Sequence, residues 1–94
     1  MPYMLVRHKV EDYEKWKPVF DEHQSTRKER GGKGGYLFRN AEDSNEVVVL
    51  LEWDDIEDAR QFAQSEDLHE TMQRAGVAEQ PDIYFLEEVE KVPD

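Results

Sequence analysis

Five consecutive apolar side chains, Val47-Val48-Val49-Leu50-Leu51, occupy the middle of the run Glu46–Trp53. A short apolar run rich in β-branched residues, bounded by polar turn residues, reads as a strand. Successive side chains of a strand point to opposite faces of the sheet, so this strand is apolar on both faces. Any fold proposed for the chain must therefore bury two faces of one sheet. The neighbouring segments supply the rest of that sheet. Tyr36–Asn40 is a second strand, joined to the first through the polar turn Ala41–Asn45 as an antiparallel hairpin. Tyr3–Val10 is a third, with Met4, Val6, His8 and Val10 on one face. Ile83–Val89 is the fourth, after a loop around Pro81.

Two helical regions separate the strands. Asp12 can cap a helical turn over residues 12–17, and Pro18, which has no N–H to donate, suits the first turn of a following helix that runs to about Arg30. Tyr13, Trp16, Phe20, His23 and Arg27 recur at spacings of three and four, as one face of a helix does. The glycines of Gly31-Gly32-Lys33-Gly34-Gly35 end it. They do not form a phosphate loop, because no Ser or Thr follows the Lys and a strand rather than a helix comes next. Asp54, with Glu57 three residues on, reads as a capping box opening a helix with Ile56, Ala59, Phe62 and Ala63 on its apolar face. Ser65 caps a further helix through Leu68, Met72 and Ala75, and Gly76 ends it. The order strand, helix, strand, strand, broken helix, strand predicts an α+β, ferredoxin-like four-stranded antiparallel sheet with helices on one face. Residues 1–94 are read as a single domain.

Helices on one face leave the other bare. A lone domain of this type should alternate apolar and polar residues along its strands. Here Met4-Leu5-Val6 and Ile83-Tyr84-Phe85-Leu86 repeat the two-sided apolar pattern of the central strand. A second copy of the chain is the simplest cover, giving a homodimer packed sheet on sheet. Burying five such side chains would contribute about 5 kcal/mol per chain at ~25 cal/mol per Å². That is comparable with the stability of a small domain, and at 94 residues the core of one chain is marginal.

Composition narrows the function. The net charge is −11, with residues 1–35 at +2 and residues 36–94 at −13. That balance argues against nucleic acid as a partner, since phosphate binding needs a basic footprint. The absence of cysteine removes disulfides, thiolate metal sites and cysteine nucleophiles, and a reducing cytoplasm is the expected location. The start of the chain, MPYMLVRHKV, lacks the apolar stretch of a signal peptide or membrane span.

Glu52-Trp53, followed by Asp54, Ala59, Phe62, Ser65 and His69, resembles the strand end, capped helix and Ser-started helix of the dimeric α/β-barrel superfamily. Within it, the chain looks close to the antibiotic-biosynthesis-monooxygenase type. The segment from Asp12 through Trp16 and Phe20 to Gly31 carries the same resemblance, which thus covers nearly the whole chain. The resemblance implies a dimer with a ligand cavity between the helices and the concave sheet face. It implies any of several activities: cofactor-independent oxygenation of aromatic polyketides, cyclisation, or haem degradation. The haem-degrading branch carries a Trp, a His ten residues later and a strand-one Asn. Phe62 and Met72 stand at the first two positions here, and the first strand has no Asn.

The oxygenase or cyclase reading needs a dry, shaped pocket, partners for phenolic oxygens and a base, and no bound cofactor. Trp16, Phe20, Tyr36 and Phe38 are candidates for its lining, with Phe62, Met72 and Tyr84. His23, on the apolar face of the first helix, is the candidate proton acceptor, and His69 a second polar contact. Each could equally be a structural or surface histidine. His8 could face the pocket or the dimer interface. The three histidines and Glu52 form a legitimate ligand set, but no HxH or HxxxH spacing arranges them for a metal. The competing class is a non-catalytic module that binds a small aromatic or apolar molecule.

Overall fold

A computed structural model describes residues 1–93. Its elements are β1 (Pro2–Lys9), α1 (Tyr13–Glu22), α2 (Gln24–Glu29), β2 (Gly32–Asn40), β3 (Asp43–Trp53), α3 (Ile56–Ala63), α4 (Glu66–Ala75) and β4 (Asp82–Glu87). The strands form one antiparallel sheet in the order β2-β3-β1-β4, the α+β ferredoxin-like arrangement expected from the sequence. β3 lies at the centre, paired with β1 and β2, as suits the most apolar strand. No helix among the described residues is long and apolar enough to cross a membrane.

Cross-strand partners of an antiparallel pair share a face, so the register sorts the side chains. Met4 lies opposite Leu51, Val6 opposite Val49 and His8 opposite Val47. These residues, with Trp53, are buried under the helices. Trp16 of α1, Phe62 of α3 and Leu68 and Ala75 of α4 close the core from above. The other face carries Leu5, Val48 and Leu50 at its centre, flanked by Tyr36 and Phe38 of β2 and by Tyr84 and Leu86 of β4. Tyr36 is 64% exposed, Phe38 52% and Tyr84 55%. Charge borders this apolar centre. Arg7 donates to Glu46 at 3.1 Å and to Asp82 at 2.9 Å, and the Tyr3 hydroxyl donates to Glu52 at 3.0 Å and Glu88 at 3.2 Å.

Three local expectations are corrected. The first helix starts at Tyr13, directly after Asp12, whose side chain accepts from the Glu14 N–H, so Pro18 lies inside it. The ladder breaks instead at His23, which ends α1 and precedes α2. The cap of α3 is Asp55, accepting from the Glu57 N–H, not Asp54. β2 begins at Gly32, because the glycine run pairs with β3 through an irregular register between Gly32 and Gly35. A Cβ on Gly35 would sit 1.9 Å from the Leu50 carbonyl oxygen, so only glycine lets the strands approach this closely. Ser65 and Gly76 cap α4 as expected, the latter in the left-handed conformation at φ 77°.

Candidate functional site

β1 and β3 form the floor of a small cavity, through Met4, Val6 and His8 on one strand and Val49 and Leu51 on the other. The helices roof it with Trp16 and Phe20 of α1, Phe62 of α3, and Leu68, Thr71, Met72 and Ala75 of α4. His23, at the α1–α2 break, and Arg27 of α2 complete the wall. The cavity holds about 50 Å³. A wider groove of about 600 Å³ runs beside it, between α1, α2 and β2. Phe20, Arg27 and Leu51 line both spaces and so form the wall between them. The Arg27 guanidinium lies 4.0 Å from the centre of the Phe20 ring and donates to the Phe20 carbonyl at 3.0 Å.

Of the residues singled out in the sequence, Trp16, Phe20, His23, Phe62 and Met72 line the cavity together. Tyr36, Phe38 and Tyr84 do not. Tyr36 faces Leu50, Phe38 faces Val48 and Tyr84 faces Leu5, all on the open side of the sheet. Tyr36 does reach the edge of the wider groove. His69 is exposed and borders a separate groove with Gln73, Pro81 and Ile83. The inward face of α4 is Leu68, Thr71, Met72 and Ala75, which leaves His69 one position to the side. Sequence reasoning left His8 open between the pocket and the dimer interface, and the structure places it in the cavity lining; it did not assign Arg27 or Asp67 to the site. Arg27 already stood on the helical stripe of His23, four residues on. Asp67 carried no signal, because its partner is 44 positions away in the chain.

His23 is buried and its Nε2 lies 2.9 Å from Asp67 Oδ2. An ionised carboxylate only accepts, so Nε2 carries the proton and donates, which leaves Nδ1 as the basic nitrogen of the neutral ring. The hydrogen bond from His23 holds the Asp67 carboxyl below its usual range. Such a pair fixes an imidazole in one tautomer and stabilises it once protonated. Its ring also packs on Phe62, with centroids 5.6 Å apart.

His8 differs. It is 5% exposed, contacts Trp16 edge-on with centroids 5.7 Å apart, and neither ring nitrogen has a hydrogen-bond partner among the described residues. Burial pushes its pKa down from 6.5 to about 4. The unfolded chain then takes up a proton below about pH 6.5 that the folded chain refuses until about pH 4. The fold therefore loses stability as pH falls through that window, by about 3 kcal/mol in total. In His8→Phe this contribution is expected to vanish, so denaturant midpoints measured between pH 7 and pH 4 should fall less steeply than in the wild type. Equal slopes in the two proteins would show that His8 does not titrate this way.

The comparisons with known proteins agree with this architecture. A crystal structure from Bordetella bronchiseptica, of a protein described as of the antibiotic biosynthesis monooxygenase type, superposes with a TM-score of 0.77 at 18% identity, over 94% of this chain and 96% of that one. SnoaB, a cofactor-independent oxygenase from Streptomyces nogalater, superposes with a TM-score of 0.78 at 14% identity, over 99% and 97% of the two chains. A protein of the same description from Caulobacter crescentus gives 0.74 at 17% identity, over 95% and 90%. At these identities the likeness is one of fold. No curated protein matches the sequence significantly. The family model for antibiotic biosynthesis monooxygenase, however, matches residues 4–74, which span three of the four strands, the four helices up to the last residue of α4, and every residue lining the cavity except Ala75. With three quarters of its length matched, the chain belongs to the antibiotic biosynthesis monooxygenase family.

Proposed function

We propose that the protein takes a small aromatic or polyketide-like molecule into the space between its helices and sheet, and acts there as a cofactor-independent monooxygenase or cyclase. The observation that carries this reading is His23 in the wall of a largely apolar cavity, held from behind by its hydrogen bond to Asp67. In such a site the protein withdraws a proton and excludes water, while the carbanion of the substrate itself supplies the electrons to dioxygen. His23 is the proton acceptor, Asp67 orients it, and Trp16, Phe20, Phe62 and Met72 shape the space. SnoaB, with a comparable fold, is described as an oxygenase that needs no cofactor, which supports the same chemistry here.

Oxygen uptake with a panel of dihydroxyaromatic compounds tests the proposal. His23→Ala is expected to lower the rate on any active compound by about 10²-fold or more, the range of a lost general base. Asp67→Asn is expected to lower it less. Binding of panel compounds without turnover, unchanged by His23→Ala, would instead make the protein a non-catalytic binding module.

The working unit we propose is a homodimer joined through the open sheet face. Leu5, Val48, Leu50 and Leu86, with the exposed Tyr36, Phe38 and Tyr84, form an apolar centre on that face. The charged groups Arg7, Glu46, Asp82, Glu52 and Glu88 are tied to one another or to Tyr3 around it. An apolar centre with a polar rim is the anatomy of a protein–protein interface. In a two-fold contact the same patch meets itself, so one chain provides both halves.

A further inference from the structure

Four polar side chains line the cavity, and three of them are engaged. His23 is held by Asp67, the Thr71 hydroxyl donates to the Asp67 carbonyl at 2.7 Å, and Arg27 donates to the Phe20 carbonyl. His8 has no such partner on either nitrogen among the described residues. It stands on β1 between Val6 and Val10, the latter just past the strand's end, and opposite Val47, where every alternate position is otherwise apolar. A buried polar group left unsatisfied by the protein is destabilising, so native structures rarely keep one without use. We infer that His8 is a ligand-contacting residue, and that its imidazole recognises an uncharged hydroxyl group on the molecule the cavity takes up.

The choice of a hydroxyl follows from donor and acceptor chemistry. A neutral imidazole offers one N–H and one bare nitrogen. A hydroxyl both donates and accepts, so it satisfies whichever nitrogen faces it, in either tautomer. A carboxylate or ketone only accepts and serves only the N–H. An ammonium group only donates, and the Arg27 guanidinium in the same wall opposes its charge. Burial also keeps the His8 ring neutral at physiological pH, so it offers no ion pair to a charged ligand.

Size adds a second constraint. The cavity holds about 50 Å³, whereas a dry cavity that accommodates benzene is about 150 Å³. It therefore admits the hydroxyl-bearing edge of a ring and not the whole ring. The remainder would lie across the wall of Phe20, Arg27 and Leu51, in the groove of about 600 Å³ beside it. The ligand class is thus a hydroxylated ring entered edge first, with its hydroxyl at His8. This rests on the cavity being the ligand site, as proposed above, but not on any turnover there.

Phenol and toluene are the probes, because they differ mainly in the hydroxyl. Titrated into the wild-type protein, phenol is expected to move the ring ¹⁵N resonances of His8, and toluene to leave them in place. His8→Phe is expected to lose about 10-fold or more in phenol affinity and to keep that for toluene. The wild-type resonances answer the question even if the variant fails to fold. Phenol binding with His8 resonances unmoved, or toluene binding as tightly as phenol, would overturn the inference and leave the cavity as a ligand site. Failure of both probes to bind up to millimolar concentration would remove the cavity reading and this inference together.

Discussion

Leu50→Glu is expected to turn the proposed dimer into a monomer that keeps its fold. Leu50 lies at the centre of the open sheet face, between Leu5 on β1 and Tyr36 on β2. In a monomer a carboxylate there points into water and costs little. In the proposed dimer it would be buried against an apolar patch with no cation in reach, since the nearest on that face, Arg7, is already shared by Glu46 and Asp82. An uncompensated buried charge costs on the order of 3–5 kcal/mol and enters twice in a two-fold contact, so the dissociation constant should rise by about 10⁴-fold or more. Sedimentation at micromolar concentration checks it: the wild type at twice the 11.1 kDa chain mass and the variant at the chain mass itself. A wild-type protein that sediments as a monomer would show that the face is not a contact between copies.

The second large effect falls on the covered side. Trp53 ends β3 with no exposed surface, and its ring packs on Phe62 with centroids 5.2 Å apart. Trp53→Ala removes the largest fully buried side chain and opens a cavity beneath α3. The expected loss is about 3–5 kcal/mol. A domain with a total of about 5–15 kcal/mol would be close to unfolding at 37 °C. Trp53→Phe should cost much less, because the indole Nε1 is itself buried without a hydrogen-bond partner among the described residues and its removal relieves that cost. Urea denaturation of the two variants separates these expectations. A loss under about 1 kcal/mol for Trp53→Ala would mean that α3 collapses onto the space.

The strands and their faces were legible because parity along a strand is strict. Met4, Val6, His8 and Val10 were grouped correctly, and the structure buries all four. What parity cannot supply is which set faces the helices when both sets are apolar. Tyr36, Phe38 and Tyr84 were placed in the cavity for that reason: each is an aromatic on a strand whose other parity also carries apolar residues, Leu37 on β2 and Ile83 and Phe85 on β4. Their position depends on cross-strand register, which for Tyr36 and Phe38 a bulge between Gly32 and Gly35 shifts, and which for Tyr84 is set by its pairing with Leu5. On helices the periodic stripe located Trp16, Phe20 and His23, yet His69 was misplaced by a single position from Leu68. The His23–Asp67 contact joins two helices that are distant in sequence, and no local pattern announces it. His8 was visible as a polar residue on an apolar face, but its isolation from other polar groups is a property of the packed interior alone.

The strand order has a consequence for when the cavity comes into being. Asn40 and Asp43 pair across a tight turn, so the β2–β3 hairpin is local and closes in microseconds. The cavity floor is made instead by β1 against β3, where Lys9 meets Glu46 and Tyr3 meets Glu52. That pairing must bring distant parts of the chain together, with a loop-closure entropy cost that makes it slow. α4 then has to dock before Thr71 and Met72 can roof the space. The cavity therefore has no partly folded counterpart: it exists only when the chain has completed its least local contacts. Any molecule that binds there binds the native state alone, and raises the melting temperature of the whole chain with the logarithm of its concentration above its Kd.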